Sequence, residues 1–110
     1  MSTDVTIEKR ADAQWTAAHT KPRCEKVVAR YCQRHGIVCY LPLQRLAKRY
    51  QRRTVETFLP MFPGYVFIQI PHGQKSLLMQ SNRIVTILAI DDAAEERLLE
   101  ELRDIQRMEA

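Results

Sequence analysis

Side chains that could carry out covalent or metal chemistry are few in this chain, and their spacing favours neither. They are three histidines and three cysteines, namely His19, His35, His72, Cys24, Cys32 and Cys39. No histidine has a partner at metal-ligand spacing, the cysteines form no CxxC pair, and no GxSxG turn or glycine-rich phosphate loop occurs. Glu25 and Glu56 are the only acids between residues 13 and 90, so a paired-carboxylate site is disfavoured. We therefore predict a binding protein that is not an enzyme and that uses no metal and no cofactor.

The segment from Tyr65 to Ile70 carries the side chains best suited to binding a partner. Its residues alternate between two faces, as a β-strand requires. One face is aliphatic and consists of Val66, Ile68 and Ile70. The other face consists of Tyr65, Phe67 and Gln69, and two aromatic rings beside an amide suit a binding surface. The alternative is that Tyr65 and Phe67 lie under a helix and belong to the core.

Charge is unevenly distributed along the chain. Residues 91–110 contain eight acids and three arginines, a net charge of −5, so the first 90 residues carry +9 and the whole chain +4. A body this basic indicates an anionic partner, most simply nucleic acid. Five of its cations fall within residues 43–58, namely Arg45, Lys48, Arg49, Arg52 and Arg53. We interpret this segment as a hairpin that is either a solvated tip or an arm contacting phosphates, with Tyr50 among its cations.

Local patterns predict strands and helices that alternate around these residues. Strands are expected at Trp15–His19, Ile37–Leu41, Phe62–Ile70 and Arg83–Ile90, with the basic hairpin after the second of them. Helices are expected to begin at Thr20-Lys21-Pro22, at Lys75 and at a capping box formed by Asp92 and Glu95. This order predicts an α+β fold, a split β-α-β sandwich with a mainly antiparallel four-stranded core sheet flanked by helices.

Apolar stripes predict which side of each helix is buried. The first helix runs to about His35, and its stripe is Cys24, Val27, Val28, Tyr31 and Cys32. The short helix, Lys75–Ser81, is expected to turn Leu77, Leu78 and Met79 inward. The stripe of the last helix is Ala94, Leu98, Leu102, Ile105 and Met108.

Residues 1–13 are polar and predict a flexible leader, followed by one domain at residues 14–110. The leader lacks the apolar segment of a signal peptide, and no apolar run approaches the ~20 residues of a membrane span. An odd number of cysteines without paired spacing indicates free thiols in a reducing compartment. The sequence therefore predicts a cytoplasmic protein without a membrane partner.

One candidate function is that of an RNA-recognition module, in which a four-stranded sheet stacks bases on an aromatic octamer of its third strand. Residues 63–70, PGYVFIQI, fit this octamer at Gly64, Tyr65, Phe67 and Ile68. They depart from it at Pro63, Val66 and Ile70, where the pattern has a cation, a small residue and an aromatic residue. These departures favour a different function for the aromatic face.

A second set of motifs runs through most of the chain. It consists of Trp15…His19, a helix, Ile37-Val38-Cys39-Tyr40-Leu41-Pro42, a basic segment, Phe62-Pro63-Gly64-Tyr65-Val66-Phe67 and Arg83-Ile84-Val85. This order strongly resembles the N-terminal domain of NusG-type transcription elongation factors, over about residues 14–108. Because GIVCYLP precedes a long basic stretch, the chain is more similar to the specialised RfaH-like members than to housekeeping NusG.

The resemblance implies a transcription elongation and antitermination factor that binds RNA polymerase, bridges its cleft and suppresses pausing. It implies contact with the clamp helices of the β′ subunit through His19, Tyr65 and Phe67, where His19 replaces an aromatic residue of RfaH-like members. Contact with the β gate loop is implied near Lys75 and Ser76, although the polar motif of RfaH is absent there. The residues that match contacts to the non-template DNA strand are Lys21, Arg34, His35 and Arg83. A C-terminal KOW domain is also expected in the full-length protein, beyond the end of this chain.

Overall fold

The computed structural model describes residues 5–109, which form six strands and three helices. In chain order these are β1 (Ala13–Thr20), α1 (Glu25–Arg34), β2 (Cys39–Tyr40), β3 (Leu43–Tyr50), β4 (Arg53–Pro60), β5 (Tyr65–Pro71), α2 (Lys75–Met79), β6 (Ile84–Ile87) and α3 (Asp92–Glu109). The main sheet has the order β2-β5-β1-β6, and every neighbouring pair is antiparallel. β3 and β4 form a separate two-stranded sheet. The predicted α+β fold, with its antiparallel four-stranded sheet, flanking helices and basic hairpin, is confirmed.

The aliphatic face of β5 packs under α1 and α2. Its side chains Val66, Ile68 and Ile70 share a buried cluster with residues of both helices, among them Val28 and Leu78. The stripe of α1 differs in part from the prediction. Buried residues of α1 are Glu25, Val28, Ala29 and Cys32, whereas Cys24, Val27 and Tyr31 are only partly buried. The tyrosine is held at the edge, because its hydroxyl donates a hydrogen bond to the carbonyl of Leu77 at 2.7 Å.

The opposite face of the sheet packs under α3. Here Trp15 and Ala17 of β1, Tyr40 of β2 and Phe67 of β5 form a second buried cluster. Leu99 and Leu102 of α3 complete it, together with Ile7 from the N-terminal segment. Both faces of the sheet are therefore covered by helices along most of their length.

The first helix begins later than predicted. Arg23 has a φ of 60°, in the left-handed region, so a helix cannot run through it from Thr20-Lys21-Pro22. Residues 22–23 form a turn instead, in which the N–H of Cys24 bonds the carbonyl of Lys21 at 3.1 Å. Regular helix therefore starts at Glu25.

Three strands are shorter than predicted. β2 covers Cys39–Tyr40 instead of Ile37–Leu41, and β6 ends at Ile87 although the chain continues beside β1 to Leu88. β5 begins at Tyr65 because residues 62–64 form a tight turn, with a φ of 87° at Gly64 and the N–H of Tyr65 bonded to the carbonyl of Phe62 at 3.1 Å. These strand ends depend on tertiary pairing, which the local patterns do not show.

Two features predicted for α2 and α3 are wrong. Met79 and Met108 are exposed, because each lies at a helix end beyond the reach of the core.

The N-cap of α3 is Asp91 instead of Asp92, since its carboxylate accepts the N–H of Ala94 at 2.8 Å. Glu95 does not reach back to the cap. It is buried and accepts the N–H of Trp15 in β1 at 2.7 Å.

The segment before β1 packs against the buried cluster between the sheet and α3. Ile7 is buried, and its carbonyl accepts the side chain of Arg103 at 2.9 Å. The carbonyl of Glu8 accepts the indole N–H of Trp15 at 3.0 Å and the amide of Gln69 at 2.9 Å. Of the leader predicted at residues 1–13, residues 1–4 lie outside the described part of the chain.

Candidate partner-docking surface

α3 leaves one end of the sheet uncovered. It starts beside Trp15, where Glu95 bonds β1, and it ends beside β2, where the hydroxyl of Tyr40 donates to Glu109. This oblique path buries the middle of the face but does not reach the end at which β1 finishes and β5 begins. Tyr65 is accordingly 37% exposed, whereas Phe67, two residues further along the same face, is 8% exposed.

Side chains from three strands meet at this uncovered end. His19 in β1 pairs directly with Tyr65 in β5 and with Thr86 in β6, so the three lie in one row. The rings of His19 and Tyr65 stack with centroids 5.1 Å apart. Leu88 lies in the next row of the same face, opposite Ala17, because its N–H bonds the carbonyl of Ala17 at 3.0 Å. Its side chain is exposed.

Phe62 adds a further ring beside the row. It is 38% exposed and meets the buried Phe67 edge-on, with ring centroids 5.7 Å apart. The docking patch is defined by five side chains at this end of the face, of which His19 is half-buried and the others are exposed: Phe62, His19, Tyr65, Thr86 and Leu88. It is apolar and aromatic at its centre, which is the character of an anchor for a protein partner.

A pinned turn holds the patch in place. The N–H of Gly64 bonds the carboxylate of Glu25 at 2.8 Å, and its carbonyl accepts the N–H of Thr20 at 2.8 Å. A Cβ at Gly64 would lie 3.5 Å from the His19 ring, and the positive φ of the residue also favours glycine. The FPG sequence therefore fixes Phe62 and Tyr65 against β1 before any partner binds.

The structure separates two residues that the sequence placed together. Tyr65 is exposed as a binding residue should be, whereas Phe67 lies under α3 in the second core. The alternative that these rings lie under a helix is thus correct for Phe67 and wrong for Tyr65. Sequence reasoning missed Phe62 and Leu88, although the motif FPGYVF offered a signal for Phe62.

The predicted DNA-contacting residues fall into two pairs. Lys21 and Arg83 adjoin each other at the rim of the docking patch, where the N–H of Lys21 bonds the carbonyl of Arg83 at 2.8 Å. Arg34 and His35 lie at the opposite end of α1, roughly 15 Å along the helix axis. His35 stacks on the Tyr31 ring there, with centroids 4.2 Å apart.

Lys75 and Ser76 occupy the first turn of α2 and are exposed. They follow the end of β5 that lies farthest from Tyr65, so a strand of about 20 Å separates them from the docking patch. The structure therefore places these two residues and the patch at opposite ends of the sheet.

The hairpin cations project away from the body. All five are exposed: Arg45, Lys48, Arg49, Arg52 and Arg53. Arg45 pairs with the carboxylate of Glu56 at 3.5 Å, and the ammonium of Lys48 lies 5.8 Å from the centre of the Tyr50 ring.

The cysteines are free thiols. The hydrogen bond with Cys39, together with burial, holds the pKa of Cys32 well above its usual range, so this thiol stays protonated. Within residues 5–109, no three histidine, cysteine or acidic side chains come close enough to bind a metal ion. None of the helices in the same range combines the length and the apolar character needed to cross a membrane.

Comparison with known families identifies the family of this chain. The model of the family described as transcription termination factor nusG matches residues 13–108, from the first residue of β1 almost to the end of α3. No curated protein matches the chain. The chain therefore belongs to the NusG family, whose members are non-enzymatic transcription elongation and termination factors that work with RNA polymerase.

Proposed function

We propose that this domain binds RNA polymerase through the docking patch, with the β′ clamp helices as the partner. The observation that carries the proposal is the uncovered end of the sheet, where Tyr65, Phe62 and Leu88 are exposed together. Aromatic side chains clustered on a rigid surface are typical anchors for an amphipathic partner helix. His19 contributes as the stacking partner of Tyr65, and Phe67 supports Phe62 from beneath.

The surrounding surface fits a factor that bridges the polymerase cleft. Lys75 and Ser76 follow the far end of β5, a strand about 20 Å long, and we expect them to reach the β gate loop while the patch holds the clamp. A bridge of this kind would hold the cleft closed, suppress pausing and promote antitermination. The GIVCYLP segment followed by a basic hairpin supports an RfaH-like subfamily, in which a C-terminal KOW domain completes the protein.

Lys21 and Arg83 are the proposed contacts to non-template DNA nearest the docking patch. Two adjacent cations at its rim would meet a strand emerging beside the docked polymerase, and Arg34 with His35 would contact it farther along. Each phosphate contact removed should flatten the log–log salt dependence by ~0.7 for a single strand. Crosslinking to the non-template strand should fall in Lys21→Ala/Arg83→Ala, and undiminished crosslinking would exclude this pair.

An RNA-recognition module is the weaker candidate. Base stacking on the octamer would require Phe67 to be open, but the ring is 8% exposed beneath Leu99 and Leu102 of α3. A covered ring offers no face to a base. The aromatic face of this sheet thus favours a protein partner at its open end.

The docking proposal is tested by capture of the isolated clamp helices. Tyr65→Ala should weaken binding by about 2 kcal/mol or more, roughly 30-fold, because hot-spot aromatics typically cost that much. Tyr50→Ala is the matched control, since it removes another exposed tyrosine, which lies in the hairpin and outside the docking patch. Equal capture by the wild type and a folded Tyr65→Ala variant would contradict the proposal.

A further inference from the structure

The hairpin formed by β3 and β4 stands apart from the rest of the domain. Its two strands pair only with each other, over eight residues each, and nearly all of their side chains are exposed on both faces. At ~3.3 Å per residue the hairpin reaches about 25 Å from its base. An isolated two-stranded hairpin is marginally stable in water, so this length adds little to the stability of the domain.

Positive charge is concentrated at the tip of the hairpin. Residues 43–60 contain five cations and one acid, which gives this segment the same net charge, +4, as the whole chain. The one acid, Glu56, is paired with Arg45 near the middle of the strands. The four other cations, Lys48, Arg49, Arg52 and Arg53, fall within six consecutive residues around the turn. A polyanion is the complementary partner of such a tip.

The aromatic ring of Tyr50 is exposed among the cations of the hairpin tip. Tyr50 is 51% exposed, although it is the last residue of β3 and pairs with Arg53 across the turn. A shallow concavity surrounds the ring, lined by Arg49, Gln51, Arg52 and Arg53. The ammonium of Lys48 approaches the same ring. A stacking platform flanked by cations is the arrangement that proteins use to hold unpaired nucleotides.

We propose that the tip of the hairpin is a binding site for single-stranded nucleic acid. Tyr50 stacks on an unpaired base, while Arg49, Arg52 and Arg53, which line the concavity around the ring, contact the flanking phosphates. This site adds a nucleic-acid contact to the proposed function. It rests on that function because, in the cell, the polymerase docked at the patch would supply the single strand. The tip is separate from Lys21 and Arg83.

Two other partners fit the tip less well. A duplex stacks its bases on each other, so it would engage the cations and leave the ring of Tyr50 unused. An acidic polypeptide would likewise neutralise the charge without a flat surface to place on the ring. The exposed tyrosine is therefore the feature that distinguishes a single strand from other polyanions.

Fluorescence polarisation with a labelled oligothymidylate of roughly 12 nucleotides tests the proposal, a length within the usual range of such sites. Tyr50→Ala should bind about tenfold more weakly, which corresponds to the loss of one stacked base. Tyr50→Phe keeps the ring and should bind within about twofold of the wild type. Circular dichroism of each variant checks that the fold is retained.

Salt dependence tests the cations separately. Arg49→Gln/Arg52→Gln/Arg53→Gln should lower the log–log slope by about 2, because three phosphate contacts are lost at ~0.7 each. The matched control removes three arginines that lie outside the hairpin, Arg10→Gln/Arg97→Gln/Arg107→Gln. Its net charge is the same as that of the first variant, and its slope should stay at the wild-type value.

Several results would overturn the site at the tip. The first is a Tyr50→Ala variant that binds the oligothymidylate as tightly as the wild type. The second is an equal salt-dependence slope in the two triple variants. The others are a duplex that binds as tightly as the single strand, and polyglutamate that competes as well as unlabelled oligothymidylate. The Tyr65→Ala variant should retain the oligonucleotide affinity, and the tip variants should retain capture of the clamp helices. Failure of the docking proposal and failure of the tip site would thus be seen in different assays.

Discussion

Single buried polar groups connect the helices of this domain to its sheet. Glu95 lies on α3 but accepts a backbone N–H from β1, with the ammonium of Lys9 3.9 Å away. Glu25 on α1 likewise accepts the backbone N–H of Gly64, in the turn before β5. Because a buried carboxylate without partners is costly, each bond fixes the position of its helix as well as satisfying a charge.

Thr20 is the exception among the described residues. Its hydroxyl is buried and has no hydrogen-bond partner, whereas the hydroxyl of Thr16 on the same strand donates to the carbonyl of Leu88 at 2.7 Å. We expect Thr20→Val to raise the free energy of unfolding by about 1 kcal/mol, since it removes an unsatisfied polar atom. Thr16→Val should lower it by a similar amount. Urea denaturation of both variants measures the difference, and destabilisation by Thr20→Val would show that its hydroxyl is satisfied.

At the level of elements, the path of α3 decides which part of the aromatic face is free. Residues of one face of β5 are equivalent by strand periodicity, yet Phe67 is buried and Tyr65 is exposed. The difference arises because α3 crosses from Trp15 to Tyr40 and leaves the end at His19 open. The orientation of the helix, more than the strand pattern, therefore defines the docking patch.

The start of α3 can be tested through its cap. Asp91→Ala should destabilise the domain by about 1 kcal/mol, because the carboxylate of Asp91 satisfies a free N–H of the first turn. Asp92→Ala is the adjacent control, and it should cost only a few tenths of a kcal/mol through the helix dipole. Thermal or urea unfolding of the two variants gives the comparison. A larger loss in Asp92→Ala would assign the cap to that residue.

On the scale of the whole molecule, the domain is elongated, with extents of 52 × 30 × 20 Å. The hairpin leaves the body at Pro60, and the next turn carries Phe62 and Tyr65 of the docking patch. A partner held at the patch therefore lies next to the base of the hairpin. This geometry allows a protein contact and a nucleic-acid contact to be made side by side.

The hairpin should be dispensable for folding of the body. We expect replacement of residues 46–57 by an Asn-Gly turn to shift the melting temperature by only a few degrees, because those residues bury little surface and contact no part of either core. Hydrogen exchange should also be faster in the hairpin than in β1 and β5. Loss of cooperative unfolding after this truncation would show that the hairpin supports the body.

The sequence by itself determined the order of elements, the antiparallel sheet and the position of the basic hairpin. Strand alternation in residues 65–70, the motif FPGYVF and the clustered cations are local signals, and each depends on neighbouring residues only. They also indicated the family to which the chain belongs. For Tyr65 they left two alternatives, a binding surface or a place under a helix, and the structure decided for exposure.

Only the tertiary structure decided which predicted residues share a surface. Phe67 became core because α3 passes over it, and Phe62 joined the patch because the turn at Gly64 is bonded to Glu25 and Thr20. Lys21 lies next to Arg83 because the end of β1 pairs with β6, which follows more than 60 residues later in the chain. These contacts join residues that are distant in sequence, so no local pattern of residue types could specify them.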